Sequence, residues 1–246
     1  MTTAAADPPK ALRHVVGVGA SAGGLQAVID LLAEGPLGEG LACIVVQHPS
    51  PTQASALPEL LAAHSPWIVC AASEGTAIEA DHVYVIVPGT RLAVSGRRLQ
   101  VEPLGSAEGA ARTVDHLLLS LAREWRQDAV GVVLSGMGSD GSKGLGAIAA
   151  TGGCAASQRP ASAQFDSMPL QAIEAAGSGV IVDEPKRLLR RIVSTLAMRD
   201  AERAAGDDDA VAGILRRVQE VTGHDFSLYK QSTLLRRMQR RMSIHG

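Results

Sequence analysis

His14-Val-Val-Gly-Val-Gly-Ala-Ser-Ala-Gly-Gly-Leu-Gln-Ala-Val-Ile-Asp-Leu-Leu-Ala-Glu34 is the stretch from which the rest of the chain can be read. Val15, Val16 and Val18 are β-branched, closely spaced and bounded by glycines, the composition of a buried strand. From Gly24 onward Leu25, Val28, Ile29 and Leu32 recur at helical spacing. Between the two lies Gly19-Ala-Ser-Ala-Gly23, a match to G-x-S-x-G, the tight strand-to-helix turn that lifts a serine hydroxyl above a sheet edge. Ser21 then stands at a helix N-terminus, whose unpaired N–H groups can stabilise an oxyanion. Two other readings stay open on these residues. Gly17-Val-Gly-Ala-Ser-Ala22 also fits the G-x-G-x-x-A of a dinucleotide-binding turn, although the next strand, residues 41–47, runs into Gln47-His48 and lacks the carboxylate such a site uses. A glycine-rich β–α turn without chemistry is the third.

The composition narrows the classes. With 46% hydrophobic and 20% charged residues, the 246-residue chain has room for one α/β domain of about 190–200 residues and a smaller element. Aromatics are 2%, so the core must be Val, Leu, Ile and Ala, and no aromatic platform exists for stacking bases. A net charge of -2 argues against general attraction to nucleic acid. Three cysteines, Cys43, Cys70 and Cys154, lie far apart without C-x-x-C spacing, which predicts buried thiols in a reducing compartment. The seven histidines show no metal-ligand spacing, so neither metal nor cofactor is expected. Without an apolar signal segment or an 18-residue apolar run, a cytoplasmic protein with no direct membrane insertion is expected.

Along the chain, strands predicted near 41–47, 67–71, 81–87, 129–135, 154–157 and 179–182 alternate with helices near 53–64, 113–126, 168–176 and 186–199. That alternation predicts a doubly wound, mostly parallel sheet with helices on both faces. Residues 91–94 and 98–102 flank Ser95-Gly96-Arg97 and predict a small hairpin antiparallel to the main sheet. Gly206-Asp207-Asp208-Asp209 breaks the pattern, giving an α/β domain over 13–200, a linker over 201–210 and a short helical extension over 211–246. In that extension Leu234, Leu235, Met238 and Met242 form an apolar stripe, while Arg236/Arg240 and Arg237/Arg241 pair at i, i+4. These four arginines make either a solvated face or a docking face for an acidic partner.

Ligand sites in open parallel sheets gather at the carboxyl ends of strands. Three predicted strands run there into residues of catalytic type: Ser21, His48 and Asp140. A serine hydroxyl needs an adjacent base, a histidine can take and return the proton, and an aspartate can fix the imidazole tautomer. Singly, His48 can cap a strand and Asp140 can start a helix. Of the competing histidines, His14 precedes the first strand, and His64, His82 and His116 sit at a helix end, a strand start and a helix start. The order Ser, His, Asp differs from that of α/β-hydrolases, but triads are defined by geometry.

Several separated motifs then occur in one order: Gly19-Ala-Ser-Ala-Gly-Gly24, Gln47-His48, Tyr84-Val-Ile-Val-Pro-Gly89, Thr113-Val-Asp115, Leu134-Ser-Gly-Met-Gly-Ser-Asp-Gly141 and Met168-Pro169. Through them residues 13 to about 195 resemble the catalytic domain of the bacterial chemotaxis protein-glutamate methylesterases. The resemblance implies Ser21 as nucleophile, His48 as base and Asp140 as orienting acid. It implies hydrolysis of γ-glutamyl methyl esters on the cytoplasmic helices of methyl-accepting chemoreceptors, with deamidation of receptor glutamines in many members. Carried over, the Ala22 N–H and another from the Met137–Gly138 turn form the oxyanion hole. Departures are Ala22 where threonine is frequent, Arg159 where an acidic residue commonly follows the glutamine, and Leu170 where a basic residue is common. With about a dozen residues ahead of the first strand, the receiver domain usual in the family is not expected.

Gln219-Glu-Val-Thr-Gly-His-Asp-Phe-Ser-Leu-Tyr-Lys230 and Ser232-Thr-Leu-Leu-Arg-Arg-Met-Gln-Arg-Arg-Met242 are similar to the N-terminal helical region of the opposing chemotaxis methyltransferases, as in proteins that fuse the two modules. Without the S-adenosylmethionine-binding domain, methyltransferase activity is not expected from this stretch. The rival reading is a non-catalytic signalling module of such a fusion.

Overall fold

A computed structural model describes residues 11–33, 35, 39–47, 57–105 and 112–222. The chain runs β1 (His14–Ala20), α1 (Gly24–Leu32), β2 (Leu41–Gln47), α2 (Leu57–His64), β3 (Ile68–Ala71), β4 (His82–Val85), β5 (Thr90–Ser95), β6 (Arg98–Pro103), α3 (Thr113–Trp125), β7 (Ala129–Val133), α4 (Ser142–Ala150), β8 (Cys154–Gln158), α5 (Ser167–Ala176), β9 (Ile181–Asp183) and α6 (Pro185–Thr222). Seven strands form one sheet in the order β3-β4-β2-β1-β7-β8-β9, every pairing parallel. All seven residues of β1 are buried, as expected for a central strand covered on both faces.

The strand order makes the chain doubly wound. From β1 it moves through α1 to β2 on one side, and from β7 through α4 to β8 on the other. Right-handed crossovers in opposite directions put α1 and α4 on opposite faces. Leu117, Leu118 and Leu121 of α3 and Leu145 and Ile148 of α4 share a buried cluster with Val15 and Val133. On α1 the buried residues Ala27, Val28, Leu31 and Leu32 keep the helical spacing visible in the sequence. The winding reverses between β1 and β7, and carboxyl ends at such a switch point frame a crevice.

The expected antiparallel hairpin is present, and one expectation needs correction. The hairpin pairs only with itself as a two-stranded sheet, β5 with β6, apart from one isolated bridge between Ala77 and Arg98. Its buried Leu92, Val94 and Leu99 join the core. It is fastened to α3, with the Val94 N–H donating to Ser120 Oγ (3.0 Å) and Trp125 Nε1 to the Gly96 carbonyl (3.0 Å). That packing leaves the hairpin no need of the main sheet's edge. The expected break at Gly206–Asp209 is instead helical, because α6 runs from Pro185 to Thr222. A glycine in a helix interior costs only about 1 kcal/mol, and the alanines at 201, 204, 205 and 210 favour the helix around it. Two compact units divide the chain at 194/195.

Candidate active site

Ser21 follows β1 directly. Its N–H donates to the Ser135 carbonyl (3.0 Å), and its own carbonyl accepts the Gly24 N–H (2.9 Å), closing a tight turn into α1. Gly23 completes the turn at φ 68°, left-handed backbone that a side chain rarely adopts. A Cβ on Gly136 would lie 2.9 Å from Ser21 Cβ, so the turn after β7 rests directly against the serine.

That contact is held by a buried polar knot. Ser135 Oγ donates to the Ala22 carbonyl (3.0 Å) and accepts the Phe165 N–H (3.0 Å). The Ser135 N–H donates to Gln158 Oε1 (2.9 Å), and Gln158 Nε2 donates to the Ser162 carbonyl (3.0 Å). The Gly136 N–H donates to the Phe165 carbonyl and its carbonyl accepts the Met168 N–H, both at 3.0 Å. Segment 159–168 is therefore stitched to the turn that carries Ser21. A satisfied buried network of this kind rigidifies what it touches.

Asp140 belongs to the same β7 loop and is 7% exposed. Its Oδ2 accepts the Val114 N–H (2.9 Å) and its Oδ1 the Asp115 N–H (2.8 Å), two amides of the first turn of α3. Carboxylates suit helix N-termini, where unpaired N–H groups and the dipole both favour them. Asp115 returns the favour, its Oδ1 accepting the Gly144 N–H at the start of α4 (2.9 Å). Burial pushes the Asp115 carboxyl above the usual carboxylate range, with the charge of Asp140 acting in the same sense. Arg112 Nη1 stands 3.5 Å from Asp115 Oδ2. Val114 packs between the two turns: a Cβ on Gly19 would meet its Cγ1 at 2.0 Å.

Ser21 and Asp140 thus stand at the carboxyl ends of neighbouring strands, on the switch point. Ala20 pairs in register with Gln47, so the strand leading to His48 ends beside the one leading to Ser21. His48 itself lies outside the described residues, as do Arg236, Arg237, Arg240 and Arg241. The competing histidines are engaged elsewhere. His64 Nδ1 pairs with the Leu60 carbonyl and His82 Nδ1 with the Ala80 carbonyl, both at 2.9 Å. His14 lies in β1 at the opposite edge, and burial beside Arg91 lowers the His116 pKa.

Of the amides expected in an oxyanion hole, that of Gly138 already donates to Ser167 Oγ (3.0 Å). Among the described residues none accepts a hydrogen bond from the Ala22 or Met137 N–H. The Met137 side chain is 60% exposed. The sequence reading passed over Ser135, Gln158, Asp115 and Ser167 as site residues, since isolated polar positions at strand ends and helix starts carry no periodic signal. Cys43 and Cys154 are buried and Cys70 partly so, none of them in a disulfide; burial pushes the Cys43 thiol up to about 12.

Comparison with known proteins follows the same lines. Residues 16–192 match the family model described as CheB methylesterase, and residues 209–246 that of the CheR methyltransferase all-alpha domain. A protein-glutamate methylesterase/protein-glutamine glutaminase of Myxococcus xanthus is 36% identical over 174 residues, covering 69% of this chain and 49% of its own length. A like-named protein of Geobacter sulfurreducens is 34% identical, covering 70% of this chain and 47% of its own. An uncharacterized 104.1 kDa protein of Rhodobacter capsulatus is 31% identical over 76% of this chain and 22% of its own length. The chain thus spans about half, or less, of these relatives. The catalytic domain of a Thermotoga maritima CheB methylesterase shares the fold, with a TM-score of 0.67 at 21% identity over 74% of this chain and 98% of that domain.

Proposed function

From the premise that the chain belongs to the CheB methylesterase family, we propose that it is a serine hydrolase removing methyl esters from glutamate side chains of chemoreceptor helices. Ser21 Oγ attacks the ester carbonyl while His48 takes its proton. The tetrahedral intermediate expels methanol, to which His48 delivers that proton, and water then opens the acyl-enzyme by the same steps. With ammonia as leaving group the same sequence deamidates a glutamine. Asp140 orients the imidazole, its carboxylate fixed by the Val114 and Asp115 amides. The Ala22 and Met137 amides are the oxyanion donors, Gly138 serving to hold the turn through Ser167. No metal or cofactor enters the scheme.

The observation that carries the reading is the contact of the Ser21 turn with the Ser135–Gly136 turn, which sets nucleophile and Asp140 loop side by side at the switch point. The domain boundaries proposed are 13–200 for the catalytic unit, 201–210 for a helical linker and 211–246 for a methyltransferase-type helical region. Arg236, Arg237, Arg240 and Arg241 are a proposed contact for acidic receptor helices. No helix among the described residues is long and apolar enough to cross a membrane, and the substrate helices are proposed to be met on their cytoplasmic side.

Methanol release from methyl-esterified receptor fragments, wild type beside Ser21→Ala, tests the proposal. Release is expected to fall by roughly 10⁴–10⁶-fold in the variant. Release that survives points to another nucleophile. No release by the wild type across several receptors turns the reading to a non-catalytic binding module.

A further inference from the structure

The carboxyl edge that carries Ser21 continues through β8 to β9, where an arginine cluster has no part in the hydrolysis. Asp183 ends β9, pairs in register with Gln158 and has a side chain 10% exposed. Three guanidinium groups converge on it: Arg159 Nη2 and Arg187 Nε at 3.5 Å from Oδ1, and Arg191 Nη1 at 3.2 Å from Oδ2. Asp183 Oδ1 also accepts the Glu184 N–H (2.8 Å), and Arg187 meets Glu184 Oε1 at 3.1 Å. The three arginine side chains are 50%, 61% and 53% exposed.

The fold does not need three. Partly exposed ion pairs contribute little, and one arginine would neutralise the carboxylate. Each guanidinium carries five donors in a planar fork, of which Arg187 shares its own between Asp183 and Glu184 and Arg191 Nη1 also donates to the Val182 carbonyl (3.1 Å). The buried carboxylate therefore acts as a post that holds three half-exposed forks together, three positive charges against the two negative charges of Asp183 and Glu184. Such a surface recognises carboxylates.

Its place relative to Ser21 follows from register. Gly19 pairs with Val133, Val133 with Ser157, and Ser157 with Val182, so Ser21 and the Asp183 cluster lie on one level, three strands apart. At about 4.8 Å per strand the separation is about 14 Å. Segment 159–168 spans the interval, and it carries the exposed Phe165 (36%), whose carbonyl accepts the N–H of Gly136, the residue before the exposed Met137. An α-helix rises 1.5 Å per residue, so 14 Å is about nine residues.

We infer that Arg159, Arg187 and Arg191 dock the acidic flank of the helical polypeptide whose ester Ser21 opens, with Met137 and Phe165 against its apolar stripe. The occupant is an amphipathic acidic helix bearing carboxylates about nine residues from the esterified glutamate. The inference rests on the esterase reading for the identity of the bound helix, and the test separates the two.

The probes are synthetic helical peptides with one central glutamate methyl ester. One set carries a Glu pair about nine residues to either side, and a matched set carries Gln there. For the wild-type chain, KM for methanol release is expected about ten-fold lower on the Glu peptide of one flank, with kcat unchanged. R159Q/R191Q is expected to erase that preference without changing kcat, and R187E, a single change on the exposed side of the cluster, to reduce it even if the double variant folds poorly. Raising the salt should erode the preference as well. Equal KM for Glu and Gln peptides, or a preference untouched by either variant, overturns the inference. Anisotropy binding of the same peptides to the Ser21→Ala chain isolates docking from chemistry. A Glu preference there without any methanol release by the wild type upholds the docking surface and sinks the esterase reading.

Discussion

Asp140 and Asp183 stand on the same edge of the same sheet, each 7% exposed and each at the start of a helix, yet they are held in opposite ways. Asp140 takes two backbone amides from α3. Asp183 takes one amide and is ringed by Arg159, Arg187 and Arg191. Amides fix a carboxylate without cancelling its charge, so Asp140 is left able to stabilise an imidazolium. Arginines cancel the charge, which makes Asp183 useless as an orienting acid but effective as an anchor. Position at a strand end nominates a residue; what surrounds it decides the task.

The widest gap between the two should appear in the chemical step. Asp140→Asn is expected to lower kcat by roughly 10⁴-fold, the size of effect found when an orienting aspartate loses its charge and the histidine takes the wrong tautomer. Asp183→Asn should leave kcat on a small ester within a factor of about two, since it lies about 14 Å from Ser21. Steady-state kinetics of both variants on one small ester make the comparison. Equal losses would mean that the Asp183 cluster shapes the reacting groups and is not a rim.

A second contrast concerns the knot beneath the serine. Ser135→Ala strips the partner from the Ala22 carbonyl and the Phe165 N–H while leaving every proposed catalytic group in place. Loss of such buried hydrogen bonds costs about 1–3 kcal/mol. Because Ala22 is a proposed oxyanion donor, kcat should fall roughly 10–100-fold, the scale of small misplacements at a reacting centre. A fall in melting temperature with unchanged kcat would show that the knot serves stability alone.

Much of this is legible in the sequence. Val15, Val16 and Val18 announce a strand buried on both faces, and the residues at strand ends nominate Ser21 and Asp140. What escaped were partners far apart in sequence: Gly138 with Ser167, Ser135 with Gln158, Asp140 with Val114. Each rests on a single polar side chain whose place is decided by packing and leaves no periodic trace. The helix through 201–210 escaped for the converse reason. Gly206 and three aspartates read as a stop, and the helix formers around them outweigh it.

The finest distinction is one of sign. Asp115, beside Asp140, is held above the ordinary carboxylate range, by burial first and then by its neighbour's charge, against the pull of the Gly144 N–H. Asp183 is held below it, by the Glu184 N–H first, then by Arg191 and Arg187, against its partial burial. A raised carboxyl contributes stability below the unfolded value, near pH 4, that is lost as pH climbs through the folded one. A lowered carboxyl contributes stability above the unfolded value that is lost as pH falls through the folded one. The wild type should therefore lose ground to Asp115→Asn as pH climbs above about 4 and gain ground on Asp183→Asn as pH rises out of the acid range. Both changes should amount to a few degrees, about 2–4 °C per kcal/mol for a chain of this size. The Asp183 difference should shrink more in high salt, because three solvent-facing arginines set it, whereas burial leads at Asp115. Melting curves of the two variants from pH 3 to 7, at low and high salt, decide it, and parallel curves would mean that the two aspartates differ in position alone.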